Sequence, residues 1–188
     1  MSYNTKNLKT PWEFKKFDKT LKLQRVVMEV FGGCNYTCQM CPQAIPGREK
    51  SFLRKMPLNE FEKILKNIVP KYGKPIINLE GSGEPTMAKD LSEYVKIVKS
   101  LDLKCYMYCN GALLKGEYMQ GVIDAGIDYI RFSIIGYNKI SYQKWMDVDN
   151  FELILSNINE TKNYIQSQNK SCELSTYHLI TDNKNLEY

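Results

Sequence analysis

The sequence lacks the features that mark several specialised classes of protein. No apolar run approaches the ~20 residues that a bilayer-spanning helix needs, and the first residues contain no apolar segment typical of a signal peptide. There is a single histidine, His178, far along the chain from most of the cysteines. These absences argue against a membrane or secreted protein, and they predict a cytoplasmic one.

The composition is that of an ordinary globular domain. Of the 188 residues, 43% are hydrophobic and 25% are charged, which argues against a disordered or collagen-like chain. The length predicts one main domain. The net charge is +5, but the lysines are scattered among carboxylates, so we interpret them as solvated surface and do not expect a nucleic acid or membrane partner.

Three of the six cysteines lie within eight residues, at Cys34, Cys38 and Cys41. Such a cluster in a reducing compartment points to metal or redox chemistry before disulfides. A structural zinc site uses four ligands, whereas three thiolates can hold three corners of a [4Fe–4S] cube and leave one iron open (compare the usual four cysteines). Zinc stays open as an alternative, because a distant cysteine could supply a fourth ligand. We interpret Cys109 and Cys172 as packed thiols and not as ligands of a second cluster. Cys105 and Cys109 are four residues apart on a predicted strand, so we expect them to lie on the same face.

Short apolar segments alternate with helical stripes along the chain. We predict strands at Arg25–Val30, Pro75–Leu79, Lys104–Tyr108, Tyr129–Ile134 and Ser171–Leu179. We predict helices at Leu58–Val69, from a capping-box-like pair of Asp90 and Glu93 to Leu101, at Lys115–Ala125, around Ser141–Trp145, from Asn150 to Gln168, and starting again at Asp182. Five such strand–helix units in series predict a parallel sheet with right-handed crossovers.

Unusual residues follow the ends of the predicted strands. The cysteine cluster follows the first strand, Ser82–Pro85 the second and Asn110 the third, and Ser133 lies near the end of the fourth. The segments Gly81–Pro85 and Asn110-Gly111, each taken alone, are typical of turns. In parallel barrels, however, active sites lie at the edge where the strands end. Four signals at one edge therefore predict a site. Glu29 and Arg131 are polar residues within predicted strands, for which we expect a barrel-interior ion pair or a substrate contact.

The segment Cys34-Asn35-Tyr36-Thr37-Cys38-Gln39-Met40-Cys41-Pro42 resembles the radical S-adenosylmethionine (SAM) enzymes. Their motif is Cys-x3-Cys-x-aromatic-Cys, and Met40 stands where the aromatic residue usually is. Ser82–Pro85 is similar to the Gly-Gly-Glu-Pro motif after the second strand, and Cys109-Asn110-Gly111 to the Thr-Asn-Gly after the third. The resemblance covers about residues 24–188.

The resemblance implies an α/β fold, a partial (β/α) TIM-like barrel with a parallel sheet. We expect an N-terminal extension over residues 1–23 and a core domain over residues 24–188, C-terminally incomplete at the fifth to sixth unit. It implies that Cys34, Cys38 and Cys41 hold a [4Fe–4S] cluster. The residues implied for S-adenosyl-L-methionine are Met40, Ser82, Gly83, Glu84, Pro85, Asn110 and Ser133. Small residues at 82 and 83 would let the backbone approach this cofactor, so we expect Gly83→Val to weaken SAM binding and spare the iron.

The implied reaction is reductive cleavage of SAM to methionine and a 5′-deoxyadenosyl radical. That radical would abstract hydrogen from an unidentified substrate, which we expect to be a peptide, a sugar or another polar metabolite. The implied electron donor is reduced ferredoxin or flavodoxin. The Cys-x-Met-Cys-Pro pattern and the basic loop after it also resemble a branch with a C-terminal auxiliary-cluster (SPASM-type) domain. The basic residues of that loop are Arg48, Lys50, Arg54 and Lys55. The alternative is a non-catalytic metal-binding module, either a zinc regulator or an iron–sulfur electron carrier.

The cysteine spacing makes a direct prediction. Changing Cys34, Cys38 or Cys41 to alanine should remove most of the bound iron and the visible absorption of an anaerobically reconstituted sample. The matched changes Cys105→Ala, Cys109→Ala and Cys172→Ala should keep both. If Cys105 or Cys109 proves as necessary as Cys38, three ligands in one loop is the wrong site.

Overall fold

The computed structural model describes residues 22–45 and 54–179. Within them lie five strands: β1 (Arg25–Met28), β2 (Ile76–Leu79), β3 (Cys105–Cys109), β4 (Tyr129–Ser133) and β5 (Glu173–Tyr177). The helices are α1 (Leu58–Tyr72), α2 (Leu91–Ser100), α3 (Gly116–Asp124), α4 (Lys139–Met146) and α5 (Phe151–Ser167). Most of the predicted N-terminal extension and the helix predicted from Asp182 fall outside the described residues.

The five strands form one sheet in the order β1-β2-β3-β4-β5, and every neighbouring pair is parallel. Each strand is next to the one that precedes it in the chain because a helix carries the backbone back to the starting edge. The predicted α/β class with a parallel sheet is therefore confirmed. All strands end at the same side, which we call the carboxyl edge.

One face of the sheet is covered by helices and is apolar. The strand residues on this face are fully or almost fully buried: Ile77, Leu79, Cys105, Met107, Cys109, Ile130 and Phe132. Neighbouring helices contact each other across this layer, α1 with α2, α2 with α3, and α3 and α4 with α5. Burial of these side chains against the helices is the main source of stability of the fold.

The opposite face, which we call the inner face, is polar and aromatic. Side chains alternate between the two faces along a strand, so the inner face carries Asn78 of β2, Tyr106 and Tyr108 of β3, Tyr129 and Arg131 of β4, and Ser175 and Tyr177 of β5. The two faces thus differ in chemistry, as expected when one face packs the core and the other borders a cavity.

Several element bounds differ from the sequence prediction. Helix α1 continues past Val69 through Pro70 to Tyr72 and ends at Gly73, which has a φ of 85°. The capping box predicted at Asp90 does not form. The Asp90 side chain makes no capping hydrogen bond, and its Oδ2 atom pairs with the Lys55 ammonium at 2.7 Å. A capping box is found at Asn138 and Ser141, at the start of α4.

The sequence predicts an apolar stripe along α5, and the structure buries only part of it. The residues of this stripe are Phe151, Ile154, Leu155, Ile158 and Ile165. Ile154 and Ile165 are buried as expected, but Leu155 is 37% exposed. The polar residues Asn157 and Thr161 are buried in its place. The Asn157 amide donates to the Gly111 carbonyl at 2.8 Å, so the helix turns a polar side chain toward the loop after β3. Among the described residues, no helix is both long and apolar enough to cross a membrane.

The burial pattern predicts which leucines hold the fold together. Leu65 of α1 is 0% exposed and Leu155 of α5 is 37% exposed. We expect Leu65→Ala to lower the free energy of unfolding by about 2–5 kcal/mol, because it leaves a cavity in the core. Leu155→Ala, the same chemical change, should cost less than about 1 kcal/mol. Equal effects in chemical denaturation would contradict this assignment of the core.

Candidate functional site

The loops that follow the first three strands are hydrogen-bonded to one another at the carboxyl edge. The loop after β1, residues 31–44, contains the three clustered cysteines, and we call it the cysteine loop. It begins at an isolated antiparallel bridge between Phe31 and Lys55 and ends in a short 3-10 turn, Pro42–Ala44. The Gly32 amide donates to the Arg54 carbonyl at 2.9 Å, so the start of the loop is tied to the segment that leads into α1.

The three thiols of the cysteine loop are free and half-buried. The pKa of Cys34 is raised to about 11, mainly by burial, with smaller contributions from Glu84 and Cys41. Burial also raises the pKa of Cys38 to about 12, and the neighbouring Cys34 and Cys41 contribute. The three groups therefore lie close enough to act on one another, and a bound cation would favour their thiolate forms.

The donor set suits a multi-iron cluster. No three His, Cys, Asp or Glu side chains of the described residues are grouped so that they would hold a single metal ion. In an iron–sulfur cluster each thiolate binds a different iron, so the sulfurs need not converge on one point. Soft thiolates are the ligands such clusters take.

The C-terminal end of helix α4 contacts the cysteine loop. The Gln39 amide donates to the Trp145 carbonyl at 3.0 Å, and the Thr37 hydroxyl donates to the Asp147 carboxylate at 3.0 Å. The Cys38 sulfur lies 3.7 Å from the Met146 sulfur. The end of α4 therefore fixes the middle of the loop. No sequence pattern points to this contact, since the partners lie far apart in the chain.

Tyr36, between the first two cysteines, anchors the same loop. Its side chain is buried, and its hydroxyl receives hydrogen bonds from Tyr142 at 3.3 Å and from Asn150 at 2.9 Å. Burial raises its pKa. Sequence reasoning missed this role, although an aromatic residue inside a short cysteine motif is a signal that could have suggested it.

The carboxylate of Glu84 joins the ends of β2 and β3. It is buried, and it accepts hydrogen bonds from the Thr86 amide at 3.1 Å, the Thr86 hydroxyl at 2.5 Å and the Asn110 amide at 2.8 Å. Its own amide donates to the Gly33 carbonyl at 2.8 Å. Burial raises the pKa of Glu84, and these hydrogen bonds oppose that effect. Its partners are protein groups of three loops.

Asn110 continues this network to the cysteine loop. It is buried, its side-chain amide donates to the Asn35 side-chain oxygen at 2.8 Å, and the same nitrogen lies 3.9 Å from the Cys34 sulfur. Its own side-chain oxygen accepts from the Ala112 amide at 3.0 Å. Asn110 thus contacts both residues that begin the motif.

Glu29, just after β1, binds the backbone of the segment after β2. Its carboxylate accepts hydrogen bonds from the amides of Ser82 and, at 3.0 Å, of Gly83. The expected barrel-interior ion pair between Glu29 and Arg131 is not present among the described residues. Both amides bind one carboxylate oxygen, Oε2, so the Glu29 side chain is turned toward the segment after β2.

Gly83 is required by the neighbouring backbone. A Cβ atom at this position would lie 1.9 Å from the Phe31 carbonyl oxygen and 2.7 Å from the Gly32 carbonyl carbon. We expected small residues here because of a close approach to a ligand. The structure shows a close approach to the start of the cysteine loop, which changes the effect expected of a larger side chain.

The remaining predicted residues lie around the same edge. Ser133 ends β4 on the inner face, in register with Tyr177. Pro85 is buried and begins the 3-10 turn Pro85–Met87. Met40, in the cysteine loop, is 40% exposed.

The other three thiols belong to the hydrophobic core, and Cys109, at the end of β3, also lies within electrostatic range of the Glu84 carboxylate. Cys105, Cys109 and Cys172 are buried, and burial raises the pKa of each. Cys105 and Cys109 share the helix-covered face of β3, as predicted. The His178 imidazole lies 3.0 Å from the Gly136 carbonyl and 3.2 Å from the Thr176 hydroxyl, so it has local partners.

Comparison with known proteins gives a family match over most of the chain. The family model of the Radical SAM superfamily matches residues 28–182. A probable GTP 3′,8-cyclase of Thermococcus kodakarensis is 31% identical over 134 residues, which are 70% of this chain and 41% of that protein. An AdoMet-dependent heme synthase of Oleidesulfovibrio alaskensis is 30% identical over 59% of this chain and 28% of its own length. The chain spans less than half the length of these curated relatives.

Solved structures share the fold. BtrN in complex with AdoMet and 2-DOIA superposes with a TM-score of 0.59 at 17% identity, over 81% of this chain and 56% of BtrN. SuiB of Streptococcus suis, bound to the precursor peptide SuiA, gives a TM-score of 0.55 at 16% identity, over 84% of this chain and 40% of SuiB. At these identities the likeness concerns the fold alone.

The contact at Gly83 generates a prediction that differs from the one based on sequence. We expect Gly83→Ala to displace the start of the cysteine loop, to lower the free energy of unfolding by about 1–3 kcal/mol and to reduce the iron retained after reconstitution. Gly121→Ala is the matched control, because nothing lies within 4 Å of its added Cβ. Full iron content in Gly83→Ala would show that the cysteine loop does not depend on this contact.

Proposed function

The chain belongs to the Radical SAM superfamily, and from this we propose that it is an enzyme that cleaves S-adenosyl-L-methionine reductively and takes hydrogen from a polar substrate. Enzymes of this superfamily use a [4Fe–4S] cluster together with SAM. The observation that carries the proposal is that the loop with the three free thiols contacts the segment Ser82–Pro85 at one edge of a parallel sheet. When bound, the cluster and SAM would supply a 5′-deoxyadenosyl radical, and the protein would supply binding and orientation.

We assign the cluster to Cys34, Cys38 and Cys41. Helix α4 and Tyr36 fix the loop between these residues, through the Gln39, Thr37 and Tyr36 hydrogen bonds. A loop held at several points keeps its thiols near the geometry that a cluster needs before the metal arrives. Half-burial of the thiols would also limit access of water and oxygen to the irons.

We assign the SAM site to the segment Ser82–Pro85 together with Met40, Asn110 and Ser133. Glu29 draws the amides of Ser82 and Gly83 toward itself, so Glu29 acts as a positioning residue for this segment. The carbonyls of a peptide segment point away from its bonded amides, and they are suitable acceptors for an ammonium group. Glu84 and Asn110 act as positioning residues in this site, because their polar side-chain atoms bind other groups of the protein.

The substrate and the electron donor are proposed at the level of chemical class. We propose a peptide, a sugar or another polar metabolite as substrate, because the inner face of the sheet is polar and aromatic. SuiB, which shares the fold, was solved with a precursor peptide. We propose reduced ferredoxin or flavodoxin as donor and the cytoplasm as location, since the free thiols and a reduced cluster both favour a reducing compartment.

The central prediction concerns the reaction. The full chain, reconstituted anaerobically and reduced with dithionite, should convert SAM slowly to 5′-deoxyadenosine and methionine even without substrate. Cys38→Ala should lose this conversion, and Cys172→Ala should keep it. Chromatography of the products measures both, with a known radical enzyme as positive control.

The same experiment separates the alternative functions. A zinc regulator would give a colourless sample after reconstitution. An iron–sulfur electron carrier would give a brown sample that yields no 5′-deoxyadenosine. Either result, with the positive control active, would contradict the proposed function.

A further inference from the structure

Arg131 is held between two aromatic rings on the inner face. Its guanidinium carbon lies 3.4 Å from the ring centre of Tyr108 and 4.8 Å from that of Tyr177. Tyr108 and Ser175 are its register partners on β3 and β5. Stacking on two rings orients the flat guanidinium group without using its hydrogen-bond donors.

Those donors have no acceptor in the described part of the protein. The Arg131 Nε atom is buried and makes no hydrogen bond with the described residues. Arg131 takes part in none of the ion pairs that these residues form. A buried donor without a partner is unfavourable, so a stacked arginine in this state is suited to an acceptor from outside the chain.

Neighbouring carboxylates do not fill this role. Glu29 is engaged by the amides of Ser82 and Gly83. Glu80 lies within electrostatic range of Arg131 and Arg25, which lower its pKa against the larger raising effect of burial. Within residues 22–45 and 54–179, Glu80 forms no ion pair with either arginine. Glu80 would bind Arg131 only after moving, and a Glu80→Gln variant tests for that movement.

A second cation stands beside the same tyrosine. The Arg25 Nη1 group donates to the Tyr108 hydroxyl at 2.9 Å, and its guanidinium carbon lies 5.9 Å from the Tyr106 ring centre. Tyr108 thus contacts Arg25 through its hydroxyl and Arg131 through its ring. Two positive charges on one face create a local potential that attracts anions.

This group of side chains lies next to the proposed cofactor site. Ser133 follows Arg131 by two residues on the same face, which is a rise of about 7 Å along the strand toward the carboxyl edge. A molecule bound at Arg131 would therefore lie on the inner face just beneath the Ser82 and Ser133 segments. That is where a substrate would have to sit for its hydrogen to be taken.

We propose that Arg131, stacked between Tyr108 and Tyr177 and assisted by Arg25, binds an oxyanion of the substrate, a carboxylate or a phosphate. The fork of a guanidinium group pairs with two oxygens of either group at once. The substrate is then an anionic molecule whose oxyanion is held below the cofactor. The inference rests on the proposed function for the identity of the ligand as substrate, but the anion site itself can be tested separately.

The test measures the NMR signals of the arginine side chains. The protein has four arginines, Arg25, Arg48, Arg54 and Arg131, so Nε–H signals of an arginine-labelled sample can be assigned by substitution. The full chain, reconstituted anaerobically, is titrated with inorganic phosphate in one arm and acetate in the other, at constant ionic strength. We expect the Arg131 Nε–H signal to shift with saturation in at least one arm, and Arg131→Gln to weaken that binding at least tenfold.

Control variants exclude trivial causes. Arg54→Gln removes an equal charge from an exposed position and should bind the anions as the wild type does. Arg131→Lys keeps the charge but not the fork, and should bind more weakly than the wild type while unfolding at a similar denaturant concentration. Glu80→Gln should bind at least as tightly as the wild type.

Each outcome decides the proposal. Saturation with phosphate alone indicates a phosphorylated substrate, with acetate alone a carboxylate, and with both an oxyanion site common to the two; all three support it. No shift of the Arg131 signal in either arm, or equal binding by folded Arg131→Gln, would overturn it. SAM cleavage is measured on the same sample, so failure of the anion site and failure of the proposed reaction are seen independently.

Discussion

The buried carboxylate of Glu84 is the interaction on which the carboxyl edge depends. It accepts hydrogen bonds from the turn after β2 and from the Asn110 amide after β3, while its own amide reaches the cysteine loop at Gly33. A buried charge is unfavourable unless hydrogen bonds satisfy it, and here the backbone of the edge supplies them. The cost of burying the carboxylate is therefore offset only when the loops after β2 and β3 are assembled. The backbone amide of the same residue then ties this pair of loops to the cysteine loop.

The cysteine loop is held by two segments that lie far from it in the sequence. Asn110 holds its beginning, at Asn35, and α4 holds its middle, at Thr37 and Gln39. Local sequence preferences alone would leave a loop with proline and glycine free to sample many conformations. Contacts with two distant segments of the chain restrict it, so that a change in α4 is expected to reach the thiols.

The two faces of the sheet divide structure from chemistry. The helix-covered face is closed by residues such as Met107 and Phe132, which are 0% exposed. The inner face carries tyrosines and two arginines. Within the part of the chain that the structure describes, Arg131 makes cation–π contacts and no ion pair. Such a face would destabilise a protein core, because its hydrogen-bond donors would be buried without partners. The same donors remain available to bind a ligand.

The sequence by itself determined the fold class, the parallel sheet and the identity of the cysteine loop. Hydrophobic periodicity and the strand–helix alternation are local signals, and the spacing of Cys34, Cys38 and Cys41 is contained in a single short segment. Capping at Asp90 and the exposure of Leu155 were predicted wrongly, because Lys55 and the neighbours of α5 lie elsewhere in the chain. Only the tertiary structure decided that Gly83 adjoins the Phe31 backbone, that Glu29 binds Ser82, and that Arg131 stacks between tyrosines of two other strands. The physical reason is that these contacts join residues far apart in sequence, and their geometry exists only once the parallel sheet has set the register of its strands.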